Sequence, residues 1–346
     1  MTTSAQEIDV SRWRKIAELG SGRTGSVTLC FDASSADHGV FHAVKCVQRR
    51  RCITSPSATR RVLQEKNALL NLKGHPGIVD LRFTSKDDDN LYFILEPLLG
   101  GPLYKHIRAG PQGFLEVPAA RFYASEIVSA IAHMHGLNFM HRDLKASNIV
   151  LCAGGHVKLV DLGSSKQVKP RVSQAGDSDS NDGFWEKSYT HCGTPHCMAP
   201  EMISREGHTP AVDWWAVGIL IHEMAAGQPP FGYGGCDMHL RIAAGIPRDR
   251  EEGCAPETME READAAIYLP VVRRLLDTNP QNRLGSDGGA DAVMSHAWFA
   301  SIDWAKIRQN EVEPPHFRKD LGKLGALEEE KASATDAKTE DWFAKF

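Results

Sequence analysis

An α+β fold in two lobes is what the 346-residue sequence predicts: a small β-rich N-terminal lobe with one main helix, then a larger helical lobe. Three observations predict it. The first hundred residues are patterned mostly as strands. Pro97 and the Gly100-Gly101-Pro102 cluster then interrupt the pattern and mark a hinge. Beyond them the apolar spacing becomes helical.

In the first lobe GSVTLCF (25–31) and FHAVKCV (41–47) alternate with period two, and LYFIL (91–95) is a short apolar run, so all three are expected as strands. TRRVLQEKNALLNL (59–72) sets Val62, Leu63, Leu69 and Leu70 among charges at helical spacing, which puts one helix on that sheet. From Pro118 onward Ala120, Tyr123, Ala124, Ile127, Val128, Ile131 and Met134 recur at three and four, with proline near the start and Gly136 past the end. NIVLC (148–152), a Gly154-Gly155 turn and HVKLV (156–160) predict a hairpin. AVDWWAVGILIHEMAA (211–226), closed by Gly227, is apolar nearly all round and so predicts a buried central helix. VSQAGDSDSNDG (172–183) has one valine and cannot pack a core. After Pro314-Pro315 the chain is charged until Trp342, Phe343 and Phe346, an apolar end expected to dock back onto the body.

Composition narrows the function classes. Forty basic against 44 acidic side chains leave a net charge of −4, which gives no global attraction to nucleic acid or anionic membrane. No apolar stretch approaches the ~18 residues a bilayer needs. The first residues lack the basic and apolar regions of a signal peptide, and Thr2 stands where myristoylation needs glycine. The eight cysteines have no CxxC spacing, so reduced thiols in a cytoplasmic setting, with possible nuclear access, are expected.

Three motifs carry chemistry. Gly20-Ser21-Gly22-Arg23-Thr24-Gly25-Ser26-Val27 lies between two strands, where glycines let backbone amides approach phosphates. That context argues against a strand-to-helix dinucleotide loop, and the absence of GxxxxGK[ST] removes the P-loop. Lys45 shares an apolar strand face with Ala43 and Val47, so it is either a snorkelling surface lysine or a cation suited to phosphate oxygens. Glu65 on the helix is either a solvated carboxylate or the one that orients it. The third motif is His141-Arg142-Asp143-Leu144-Lys145-Ala146-Ser147-Asn148, followed by Asp161-Leu162-Gly163 at the end of the hairpin. Asn148 and Asp161 on adjacent strand ends can hold Mg²⁺, leaving Asp143 to accept a hydroxyl proton and Lys145 to neutralise a moving phosphoryl group.

In order and spacing these motifs, with Ala199-Pro200-Glu201, resemble the eukaryotic protein kinases over residues 11–304. Lys145 in HRDLK is similar to the serine/threonine type. AVDWWAVGILIHEMAAGQPPF (211–231), Cys192-Gly193-Thr194-Pro195, Ala297-Trp298-Phe299 and a terminal Phe346 resemble the AGC group, nearest the catalytic subunits of the cyclic-nucleotide-dependent kinases such as the cAMP-dependent enzymes. The resemblance implies a bilobal protein-kinase-like fold: an extension 1–12, a kinase domain 13–304 with lobes 13–96 and 97–304, and a tail 305–346. It implies ATP and Mg²⁺ as cofactors, protein Ser/Thr hydroxyls as acceptors, and a cyclic-nucleotide-binding regulatory subunit as a partner to consider. No cyclic-nucleotide-binding module is expected in the chain itself. The alternative is a kinase-fold pseudokinase or scaffold, which ordinarily lacks one of the equivalents of Lys45, Asp143 and Asp161.

By that resemblance the glycine loop, from Leu19, covers the phosphates, and Lys45, tethered by Glu65, holds α/β oxygens. The hinge from Glu96 to Leu98 reads adenine through its backbone, and Val27, Ala43 and Val150 sandwich the ring. Leu69, Leu81, His141 and Leu162 stack between the lobes. Glu201 pairs with Arg283, and Asp213 bonds catalytic-loop amides. Thr194 contacts Asp143 and Lys145. Thr190 aligns with the activation-loop phosphosite, with Arg142, Lys166 and Arg61 as phosphate partners. Departures stand out: DLG for DFG, the extra polar stretch near 170–185, and, in substrate choice, Pro102, Ser147 and His196 where carboxylates would read basic residues. Of those substrate carboxylates Glu223 remains, so preference for paired arginines is expected to be weak or absent.

Overall fold

The computed structural model describes residues 10–22, 25–33, 39–169, 185–246 and 259–315. The polar stretch 172–183, the tail from 316 and the loop residues Arg23 and Thr24 lie outside them.

Five antiparallel strands form the first lobe: β1 (Arg14–Gly22), β2 (Gly25–Asp32), β3 (Val40–Gln48), β4 (Leu81–Lys86) and β5 (Asn90–Leu95), in the order β1-β2-β3-β5-β4. The three expected strands fall on β2, β3 and β5. The central strand β3 is the most buried, as a strand paired on both edges should be. Among the described residues the lobe carries the one main helix expected and, before it, a short helix that was not expected. α1 (Arg49–Thr54) precedes α2 (Pro56–Asn71). Its sequence RRRCIT buries no residue, so it offers no apolar face for a pattern to reveal. Arg49 anchors it by donating to the carbonyls of Asp87 and Asp88, each at 3.0 Å. Ser55 caps α2 by accepting from the Ala58 amide, with Pro56 in the first turn.

A short strand β6 (Gly101–Pro102) and helix α3 (Leu103–Ala109) lead into the second lobe. There α4 (Val117–Gly136) matches the expected helix, except that Gly136 is inside it and Leu137 caps it. β7 (Phe139–Met140), the hairpin β8 (Ile149–Leu151) and β9 (Val157–Leu159), and β10 (Lys166–Gln167) follow. β6 pairs β8 and β7 pairs β10, so the catalytic-loop motif is held between two small ribbons. α5 (Pro200–Ser204) precedes α6 (Ala211–Ala226), in which 14 residues from Ala211 to Met224 are buried, as expected of a central helix. Gly227 closes it at φ 80, where a Cβ would lie 2.6 Å from the Gly113 carbonyl oxygen. α7 (Met238–Ala244), α8 (Met259–Leu275), α9 (Gly289–Met294) and α10 (Trp304–Gln309) complete the lobe.

One apolar cluster runs through both lobes. Ala43, Leu69 and Leu81 from the first and Leu162, Val212 and Trp215 from the second belong to it. His141 is fully buried beside it. This continuous core sets β3 and α2 against the DLG turn. Among the described residues no helix is long and apolar enough to cross a membrane.

Candidate active site

β3 is paired with β2 on one edge and β5 on the other, with Lys45 opposite Val27 and Phe93. The period of two puts Lys45 on the face of Ala43 and Val47, all three 5% exposed or less. The ammonium donates to Glu65 Oε1 at 2.6 Å and to Asp161 Oδ1 at 3.2 Å. Burial by itself would lower the Lys45 pKa, but Glu65 and then Asp161 outweigh it and hold the ammonium charged. Burial would raise the Asp161 carboxyl, yet the pull of Lys45 brings it below the usual carboxylate range. Three groups from β3, α2 and the DLG turn thus meet at one point, 116 residues apart in the chain.

The catalytic-loop motif forms a second cluster. Asp143 accepts from Lys145 Nζ at 3.1 Å and from the Thr194 hydroxyl at 2.6 Å, and Lys145 also donates to that hydroxyl at 2.7 Å. Asn148 Nδ2 donates to the Asp143 carbonyl at 2.9 Å. Fully buried Asp213 accepts from the amides of His141 and Arg142 and from His135 Nε2. The two amides were legible from the motifs; His135 was not, since nothing local to its position at the end of α4 marks it. Arg283 forks onto Glu201 at 2.6 and 2.9 Å as expected, and also caps the Ala211 carbonyl at 3.0 Å.

The glycine segment is the β1–β2 hairpin, with Gly20 opposite Val27, Ser21 opposite Ser26 and Gly22 opposite Gly25. Gly25 has φ 151, and a Cβ there would sit 2.1 Å from the Cys46 carbonyl oxygen, so no larger residue fits. Leu19, Val27 and Val150 are half-buried against the cluster containing Ala43, which makes an apolar wall beside the Lys45 group. The Glu96 carboxylate is tied to Lys158 Nζ at 2.6 Å and the Asp80 amide at 2.8 Å, and Leu98 is buried, which stiffens the hinge.

Arg142 and Lys166 converge, but on Ser188. Its hydroxyl, in a residue 1% exposed, accepts from Arg142 at 3.2 Å and Lys166 at 3.0 Å, while Thr190 two residues on is exposed. Burial, and then Arg142 itself, depresses the Lys166 pKa, so these cations disfavour each other until an anion arrives. Arg61 and Arg142 both act on the Cys192 thiol, which places the third cation near the same segment. Glu223 is 4% exposed on α6 and receives the Tyr233 hydroxyl at 2.9 Å. No sequence pattern pointed to Ser188 or Tyr233, because each matters only through a residue distant in the chain.

The donors near Asp161 suit a hard divalent cation. The Asn148 amide nitrogen is committed to Asp143, so its oxygen is the end open to a metal. Asp161 offers a carboxylate whose other oxygen binds Lys45. One carboxylate and one amide oxygen fit Mg²⁺, whose remaining positions go to phosphates and water.

The protein kinase domain family matches residues 13–299. A Caenorhabditis elegans protein named "cAMP-dependent protein kinase, catalytic subunit-like" is 34% identical over 317 residues, 91% of this chain and 71% of the relative. The Drosophila melanogaster cAMP-dependent protein kinase catalytic subunit 3 is 34% identical over 87% of this chain and 46% of its own length. Mouse ribosomal protein S6 kinase alpha-2 is 32% identical over 92% of this chain and 40% of its own.

Proposed function

The chain belongs to the protein kinase family, is AGC-like, and is a protein kinase of the serine/threonine type; from that premise we propose that it transfers the γ-phosphate of ATP to protein hydroxyls with a substrate pocket less basophilic than the cAMP-dependent kinases have. The observation that carries the reading is Lys45 bonded at once to Glu65 and Asp161. That contact joins the two lobes, and it needs both ends of a nucleotide cleft to be in register.

Each residue then has a task. The hairpin from Leu19 to Val27 covers the triphosphate; Arg23 and Thr24, also expected to bind ATP, lie outside the described residues. Lys45 binds α/β oxygens while Glu65 fixes its direction. The backbone from Glu96 to Leu98 reads adenine between Val27, Ala43 and Val150. Asn148 and Asp161 would hold Mg²⁺, which when bound screens the phosphate charge. Asp143 accepts the acceptor's hydroxyl proton, and Lys145 stabilises charge on the transferred group. Catalysis is then positioning and electrostatics, supported by side chains already bonded to one another.

Phosphate on Thr190 would enter the cationic pocket of Arg142, Lys166 and Arg61, the first two of which already converge on Ser188. The domain boundaries 1–12, 13–304 and 305–346 follow the same reading. Weak selection for paired arginines is supported by Pro102, Ser147 and His196 standing where carboxylates would be needed.

Phosphorylation of a degenerate peptide array with purified protein, alongside an Asp143→Asn variant, tests it. Transfer that the variant loses by at least about a hundredfold, with Mg-ATP binding retained, is the expected result. Binding of Mg-ATP with transfer to no peptide would favour a kinase-fold scaffold. A strict Arg-Arg-x-Ser/Thr preference would overturn the altered pocket.

A further inference from the structure

A carboxylate as buried as Glu223 needs partners. Its hydrogen-bond donor is Tyr233, delivered by the loop between α6 and α7, and the Arg108 charge acts on both groups. Gly232 at φ 72 and Gly235 at φ 109 flank this residue and let the loop double back within a few positions. The Tyr233 ring meets the His196 ring edge-on, with centroids 5.2 Å apart and planes at 71°. His196 is two residues from Thr194, which touches both Asp143 and Lys145. Tyr233 is therefore a few side chains from the proposed phosphoacceptor position, and 53% of it is exposed although its hydroxyl is engaged. The ring is open to solvent, whereas Glu223, bonded to it, is 4% exposed.

The pairing is firm at neutral pH. Burial raises the Glu223 carboxyl, while the Tyr233 hydroxyl and Arg108 oppose the rise. Burial and then Glu223 push the phenol up to about 12, so it stays a donor. A phenol seated on that carboxylate competes with a guanidinium for the same lone pairs.

We propose that Tyr233 is a specificity-determining residue: it occupies Glu223 and so penalises substrates that would place an arginine or lysine there. This rests on the reading of Glu223 as peptide-facing. A basic side chain has to displace the hydroxyl, whereas a neutral one leaves the Tyr233–Glu223 contact intact. Pro102, Ser147 and His196 leave fewer sites for arginine; Tyr233 accounts for why the remaining Glu223 is closed.

The test uses the full chain and a Tyr233→Phe variant, which keeps the ring against His196. A peptide series carries arginine, or its neutral isostere citrulline, at each position before the acceptor in turn. Transfer kinetics and peptide affinity by fluorescence anisotropy are read in parallel. The arginine-to-citrulline ratio is expected to rise about tenfold at one position in Tyr233→Phe, and the rise is expected to vanish in the Tyr233→Phe/Glu223→Gln double variant. Should Tyr233→Phe melt early, Tyr233→Ala serves in its place with the same expected rise. Equal ratios in both proteins by both readouts overturn the inference, as does a rise that survives loss of the Glu223 charge. A shifted affinity ratio without any phosphate transfer supports the gate while removing the catalytic reading.

Discussion

The Asp213 carboxylate accepts the backbone amide of Arg142 at 2.8 Å at the point where Arg142 is held at φ 67. A left-handed conformation costs a non-glycine residue about 1–2 kcal/mol, and Asp213 offsets it from inside an otherwise apolar helix. The same carboxylate takes the His141 amide at 2.9 Å and His135 Nε2 at 2.8 Å. Burial would raise its pKa, but the His135 bond and the other donors bring it below the ordinary value. The proposed catalytic aspartate follows Arg142 directly, so its position depends on this buried anchor.

Asp213→Ala removes those three bonds from a residue with no exposed surface. A loss of about 3 kcal/mol or more in unfolding free energy is expected from urea titration. Turnover of whatever folds should fall as well, since Asp143 loses its reference point. Stability and turnover both at wild-type level would show that the anchor is dispensable.

Glu65→Gln leaves Lys45 with Asp161 as its remaining carboxylate. On the proposal that Glu65 directs the ammonium to nucleotide oxygens, kcat/KM for ATP is expected to fall about a hundredfold. The affinity for ATP should change far less, as the apolar wall of Leu19, Val27 and Val150 is untouched. Steady-state kinetics together with nucleotide titration separate the two quantities.

Arg283→Ala would strand Glu201, which is 6% exposed, without its partner. Removing one member of a buried pair costs about 3–5 kcal/mol. Arg283→Lys should recover only part of it, since an ammonium cannot reproduce the two-pronged contact at 2.6 and 2.9 Å. Calorimetric melting of the two variants checks the order.

His208 gives a pH dependence of stability. Burial, then the nearby Arg142 charge, lowers its pKa from 6.5 to about 4. The folded form therefore binds fewer protons than the unfolded chain between those values, so stability is lost as pH falls from 6.5 toward 4. For a residue 3% exposed this amounts to up to about 3 kcal/mol. Urea midpoints measured across that range should decline with acid, and His208→Gln should flatten the decline.

Mass spectrometry of active protein should find activation-segment phosphate on Thr190 and none on Ser188. Ser188 is buried, and its amide and carbonyl are paired with those of His208, so another kinase could reach it only by unfolding that bridge. Phosphate on Ser188 alone would reverse the assignment.

Much of the molecule could be read without coordinates. Strands β2, β3 and β5 and helices α4 and α6 announce themselves because their apolar periods are set by which face is buried. The Lys45–Glu65 pair was expected from the motifs; the bonds of Lys45 to Asp161 and of Asn148 to Asp143 were not. Helix α1 did not, since it buries nothing and so leaves no period in RRRCIT.

What the sequence alone determined is which residue types stand at which spacing: two lobes, a glycine hairpin, a lysine on a buried strand, an aspartate five residues before an asparagine. Tertiary structure alone decided that Ser188 lies beneath Arg142 and Lys166, that His135 completes the ring of donors to Asp213, and that Tyr233 covers Glu223. The reason is physical. Periodicity records burial, which is a property of one segment, whereas a hydrogen bond between side chains from different elements exists only once packing has brought those elements within 3 Å or so of each other.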